Sequence, residues 1–90
     1  MDAKRFIRSL CEDLKFDVTT NAAASKTYEL ALKKGFDKKH KTMALAAGSL
    51  YFYCRSTGKP IILNKILEIA PLEQEEVMAV YNDLKKDILG

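Results

Sequence analysis

Phe6, Ile7, Leu10, Cys11 and Leu14 recur at helical spacing, and Lys4, Arg5, Arg8, Glu12 and Asp13 take the opposite side. That period marks an amphipathic helix, predicted from about Asp2 to Lys15. The pattern breaks at Phe16-Asp17-Val18. Thr19 or Thr20 is then placed to cap a second helix, its hydroxyl accepting from a free amide two or three residues on. This helix is predicted to reach about Lys34, with Ala24, Thr27, Tyr28, Ala31 and Leu32 as its buried face. Lys33 and Lys34 suit the negative end of the helix dipole, and Gly35 is the expected stop. A basic loop follows, FDKKHK, residues 36–41.

The next stretch has a different character. From Thr42 to Cys54 there is no charge, and small residues alternate with aromatics. Met43, Ala46, Ala47, Leu50, Tyr51 and Cys54 share a face, but Leu45, Phe52 and Tyr53 lie off it. A helix that is apolar nearly all round is enclosed by others. Ala44, Ala46, Ala47, Gly48 and Ser49 keep its first half thin, so that neighbouring backbones approach closely. Gly58 ends it and Pro60 forbids its continuation. A short fourth helix is predicted over about Leu63–Ile69, then a tight turn at Ala70-Pro71-Leu72. A fifth helix runs from about Glu73 to Leu89, with Val77, Val80, Tyr81, Leu84 and Ile88 inward. Nothing reads as a strand, an internal repeat or a low-complexity tract. The expectation is a single all-α domain of five helices over residues 1–90, with the third helix buried at its centre.

Composition narrows the function classes. Ninety residues make one domain with an economical core. The net charge of +3 permits an acidic partner without requiring one. The longest uncharged run is too short to span a bilayer. Cys11 and Cys54 lie far apart, form no C-x-x-C pair and read as buried free thiols in a reducing compartment. The N-terminus, Met1-Asp2-Ala3-Lys4-Arg5, shows no signal-peptide pattern. His40 is the only histidine, which leaves no metal-ligand set or catalytic constellation to assemble around it. The four glycines are scattered and build no phosphate loop. No enzyme activity, catalytic residue, metal, cofactor or small-molecule substrate is expected.

The order of elements resembles the cyclin-like repeat of the transcription factor IIB family. KRFIRSLCEDLKF (4–16) is similar to that family's opening helix, and YELALKKG (28–35) to the end of its second helix. MALAAGSLYFYCR (43–55) resembles its A-A-x-x-Y-x-x-C/S-R hallmark, followed by GKP in the next turn. KILEIAPL and EEVMAVYNDL stand where the family has a helix-turn-helix, with Tyr81 at its aromatic position. The resemblance spans nearly the whole chain. It implies a cyclin-box fold of five helices and a non-enzymatic adaptor role in transcription initiation. The implied partners are the TATA-binding protein, promoter DNA and RNA polymerase, and the implied compartment is the nucleus of a eukaryote or the cytoplasm of an archaeon. Family members carry two repeats behind a zinc ribbon; a single repeat without ribbon cysteines is an excised domain or a stand-alone copy. The opening helix resembles the second repeat and the C-R…G-K-P turn the first, and the second is favoured. The alternative function is a cyclin-box module that binds protein and not DNA.

Two departures from the family bear on the site. Ile62 replaces a threonine cap, so Asn64 is expected to cap a shortened fourth helix. The helix-turn-helix is degenerate: its recognition positions fall on Glu75, Glu76, Met78 and Asn82, preceded by Glu73 and Gln74. Base-reading helices favour Arg, Lys, Asn and Gln at their start. Acidic residues there would face phosphates and instead suit the positive end of the helix dipole. Candidate contacts to DNA or an acidic partner therefore move to Lys33, Lys34, Lys38, Lys39 and Lys41, with Arg55 and Lys59 as an extension or a second patch. No aromatic residue interleaves with those lysines as a base-stacking platform requires.

Overall fold

The structure, a computed structural model, describes the backbone of residues 3–89 and the side chains of residues 3–87. Five α-helices and no strand occur among the described residues: α1 (Ala3–Asp13), α2 (Val18–Lys33), α3 (Thr42–Thr57), α4 (Leu63–Ile69) and α5 (Gln74–Leu89). The expected stripe of α1 is buried, with Phe6, Ile7, Leu10 and Cys11 all inside. Its end is a Schellman turn: the Phe16 amide donates to the Cys11 carbonyl and the Lys15 amide to that of Glu12. The left-handed position of this turn, normally glycine's, is held by Lys15 at φ 61.

The cap of α2 is Asp17, not Thr19 or Thr20. Asp17 Oδ1 accepts from the Thr20 amide at 2.9 Å and from the Thr20 hydroxyl at 2.7 Å. An aspartate outcompetes a threonine here because its oxygen reaches the amide three residues on while carrying the charge that the helix N-terminus favours. Those two bonds from Thr20, the hydroxyl's first, hold the Asp17 carboxyl below the usual carboxylate range. The hydroxyl of Thr20, tied to the cap, is fully buried. Leu32, expected inward, is exposed, and Ala24, Tyr28 and Ala31 form the buried face of α2 with Thr20.

Helix α3 is the centre of the molecule. Every residue from Ala44 to Phe52 is buried, as is Cys54. It packs against α1, α2 and α5. The small residues serve the closest of these approaches. A β-carbon built on Gly48 would lie 2.5 Å from Val80 Cβ and 3.3 Å from the Val77 carbonyl oxygen, so α5 rests directly on the backbone of α3. Gly58 closes α3 in the left-handed conformation at φ 75.

The fourth helix starts at Leu63, as expected, but Asn64 does not cap it. Ile62 stands at the cap with no side-chain bond, and Asn64 lies inside the helix. The short α4 buries Ile66 and leaves Ile69 partly exposed. Along α5, Val77, Val80 and Leu84 are fully buried. Tyr81 is half-buried and meets Tyr51 edge-on, with ring centroids 5.2 Å apart. The inward placement expected of Ile88 falls outside the described side chains.

Candidate functional site

The basic segment between α2 and α3 is more ordered than the loop its composition suggests. Gly35 turns the chain at φ 79, and Phe36–Lys38 form one 3-10 turn. Phe36 is buried and anchors the segment. It also takes His40 edge-on, with centroids 6.5 Å apart, and lies beneath the Lys39 ammonium at 5.8 Å. The run of polar residues hid this anchor: one phenylalanine among five charged or titratable neighbours gives no periodic signal.

The segment lies against α5. His40 Nε2 and Asp83 Oδ2 are 2.7 Å apart, in a position where only an eighth of the His40 side chain remains exposed (12%). A carboxylate only accepts, so Nε2 carries the proton and donates. Lys34 Nζ reaches Asp87 Oδ2 at 3.3 Å, and Lys41 Nζ reaches Glu76 Oε2 at 3.5 Å. Glu76, Asp83 and Asp87 are seven and four residues apart, which places them on one stripe of α5. Three of the six cationic or titratable basic residues in this region thus meet a carboxylate across an element boundary. Glu76 also serves its own helix, because its Oε1 accepts from the Glu73 amide at 3.2 Å, the backward half of a capping box.

The seven basic candidates therefore separate into groups. Lys34 and Lys41 are paired to α5. Lys33, Lys38 and Lys39 are exposed and form no ion pair among the described residues. Arg55 and Lys59 do not extend this patch. They sit at the far end of α3, and the thirteen residue steps from Thr42 to Arg55 span about 20 Å at the helical rise. Arg55 lies over the Tyr51 ring at 5.9 Å. Lys59 is half-buried in an open cleft of about 340 Å³ with Leu14, Lys15, Phe16, Asp17, Thr20 and Pro60.

On α5, Glu75 and Asn82 are exposed, and Met78 is half-buried against the core. Glu76 faces the basic segment. The acidic helix and the lysine segment, expected as two separate candidate surfaces, are contiguous and partly neutralise each other. Asp83 and Asp87, the residues that join them, were not among the sequence candidates. Their spacing from Glu76 was the available signal.

No group of three His, Cys, Asp or Glu residues is placed to hold a metal ion among the described residues. No described helix is long and apolar enough to cross a membrane. A family model described as "Transcription factor TFIIB repeat" matches residues 1–87. Searches of curated proteins and of solved structures each return no match.

Proposed function

This chain belongs to the transcription factor TFIIB repeat family, and we propose that it acts as a non-enzymatic adaptor that touches promoter DNA through phosphates alone. The observation that carries this reading is the charge layout around the start of α3. Exposed Lys33 ends α2 and exposed Lys38 and Lys39 lie in the anchored segment that follows, whereas Glu73 precedes α5 and Gln74, Glu75 and Glu76 open it. Lysine contacts to phosphate position a protein on DNA and carry no sequence information. In this reading the recognition-helix positions Glu75, Glu76, Met78 and Asn82 read no bases, and sequence preference comes from partners. The TATA-binding protein and RNA polymerase are the partners the family role supplies, and residues 1–90 act as one cyclin-like repeat. Of the two repeats, the opening helix favours the second.

Fluorescence anisotropy with a short duplex at two salt concentrations tests the DNA contact. Neutralising three phosphates gives a log–log salt slope of about −2.7. Lys33→Glu with Lys38→Glu and Lys39→Glu should abolish binding, and scrambling the duplex sequence should leave wild-type binding unchanged. Binding that survives the lysine reversal, or that depends on sequence, refutes the assignment. No binding by the wild-type protein at low salt favours the other reading, a cyclin-box module that contacts protein only, to which the acidic start of α5 offers a surface.

A further inference from the structure

The lysine segment and the carboxylate stripe of α5 are geometrically committed to one another, and that has a consequence for any polyanion that approaches. Lys34, His40 and Lys41 each meet a carboxylate of α5, namely Asp87, Asp83 and Glu76, within 2.7–3.5 Å. A phosphate at any of these positions must displace a carboxylate already there or share the cation with it. The pairs differ in how well they are held. His40–Asp83 is the shortest and the most enclosed, fixed from behind by the buried Phe36 ring. Lys34–Asp87 and Lys41–Glu76 flank it in more open positions, and exposed pairs of this kind exchange at little free-energy cost.

We propose that Glu76, Asp83 and Asp87 are an internal competitor for the polyanion site, so that α5 weakens phosphate binding by the α2–α3 segment. This inference rests on the phosphate-contact reading above. The enclosed His40–Asp83 bond pins the segment to α5. The two open lysine pairs are the exchangeable part. In the resting protein Lys33, Lys38 and Lys39 are the lysines of this region that meet no carboxylate among the described residues. A partner that drew the α5 carboxylates to itself, through a basic surface of its own, would release Lys34 and Lys41 and strengthen the DNA contact. The acidic face of the degenerate recognition helix thereby becomes a control element for the neighbouring basic surface.

The test compares three proteins by anisotropy on a random-sequence duplex and on inorganic polyphosphate. They are the wild type, Glu76→Gln with Asp83→Asn and Asp87→Asn, and a control of equal charge change, Glu12→Gln with Asp13→Asn and Glu68→Gln. Two freed lysines should steepen the salt slope by about 1.8 and raise affinity roughly tenfold at low salt. The control frees Arg8 and Lys65 from Glu12 and Glu68, but on α1 and α4 and not in the lysine segment, and should change affinity by less than about a third of that. Equal gains in the two variants mean that net charge alone is responsible, and overturn the competitor. No gain in the stripe variant overturns it as well. If no protein of the three binds either polyanion, the phosphate-contact reading falls and the competitor with it. Asp87→Asn alone, at an exposed pair, serves if the triple variant melts early, with a slope change of about 0.9 expected from one freed lysine. In the ligand-free wild type, a slowly exchanging His40 Nε2 proton in the nuclear magnetic resonance spectrum reports the His40–Asp83 bond independently of binding. A rapidly exchanging proton there refutes the pinned segment.

Discussion

Gly48→Ala separates a glycine kept for packing from one that is merely tolerated. At an exposed helix position this substitution stabilises by roughly 1 kcal/mol, because alanine loses less backbone entropy on folding. Gly48 is in the middle of α3 and faces α5. The new methyl carbon would stand 2.5 Å from Val80 Cβ, against the roughly 3.5–4.0 Å of a normal carbon–carbon contact. Val80 has no free torsion that moves its own Cβ, so rotation of the side chain gives no relief. The helices must part by about 1 Å at their crossing, or both must bend. Overpacking of this kind costs about 1–3 kcal/mol. Val77, Val80, Leu45, Leu50 and Leu84, all fully buried, would lose part of their contact as α3 and α5 separate.

Set against the propensity gain, the clash leaves a net loss of up to about 2 kcal/mol. At about 4–8 °C per kcal/mol for a domain of this size, the melting temperature should fall, by up to about 15 °C. Circular dichroism during thermal and urea unfolding measures it. Gly48→Ala with Val80→Gly moves the glycine to the other helix and removes the colliding atoms. A double-mutant cycle on the pair should show a favourable coupling of at least about 1 kcal/mol. A higher melting temperature for Gly48→Ala alone would refute the close approach of α5 to α3, and with it the reason offered for the small-residue run.

Three further outcomes follow from local chemistry. Burial first, and second the charge of Asp17, push the Cys11 thiol up to about 11, and burial first, then Cys11, does the same for Cys54. Between the ordinary thiol pKa of 9.0 and that value the unfolded chain loses protons that the folded chain keeps, so stability should fall as pH rises through this window. At about pH 8 both thiols should react with a disulfide reagent only at the rate of unfolding, and rapid labelling of the native protein would refute their burial. Lys15→Gly relieves a left-handed backbone held by a β-carbon, and after the entropy of the added glycine the gain should be about 0.5–1 kcal/mol, read as a higher urea midpoint. A lower midpoint would mean that the Lys15 side chain supports the turn.

Most of the fold is legible in the sequence because it rests on periodicity and punctuation. The stripe of α1, the all-round apolar α3 and the stops at Gly35 and Gly58 are local signals with one structural solution each. The cap of α2 was a competition between neighbours. Asp17 and the threonines after it are all acceptable caps, and which one serves depends on where the α1 turn delivers the chain. The Schellman turn at Lys15 sets that point, and no glycine announces it. Asn64 had no competitor in sequence, yet the helix already starts at Leu63 and leaves it past the cap.

The candidate site was less legible for a different reason. Charge runs were visible as segments, but their meaning depends on which segments face one another. A count of lysines makes residues 33–41 the stronger anion surface of the chain, and a count of glutamates makes α5 repel DNA. Both counts treat the two as independent. The fold places Lys34, His40 and Lys41 against Asp87, Asp83 and Glu76, while the buried Phe36 ring anchors the segment and meets His40 edge-on. Once they are adjacent, the acidic residues at the start and end of α5 act first on the lysines beside them and only second on a distant phosphate, since Coulomb energy falls with separation and salt screens what lies beyond about 10 Å. Of the four recognition-helix positions, Glu76 is the one that meets the lysine segment, and Asp83 and Asp87 farther along α5 do the same. On the proposed phosphate-contact reading, α5 thereby has a hold on the surface that meets the anion.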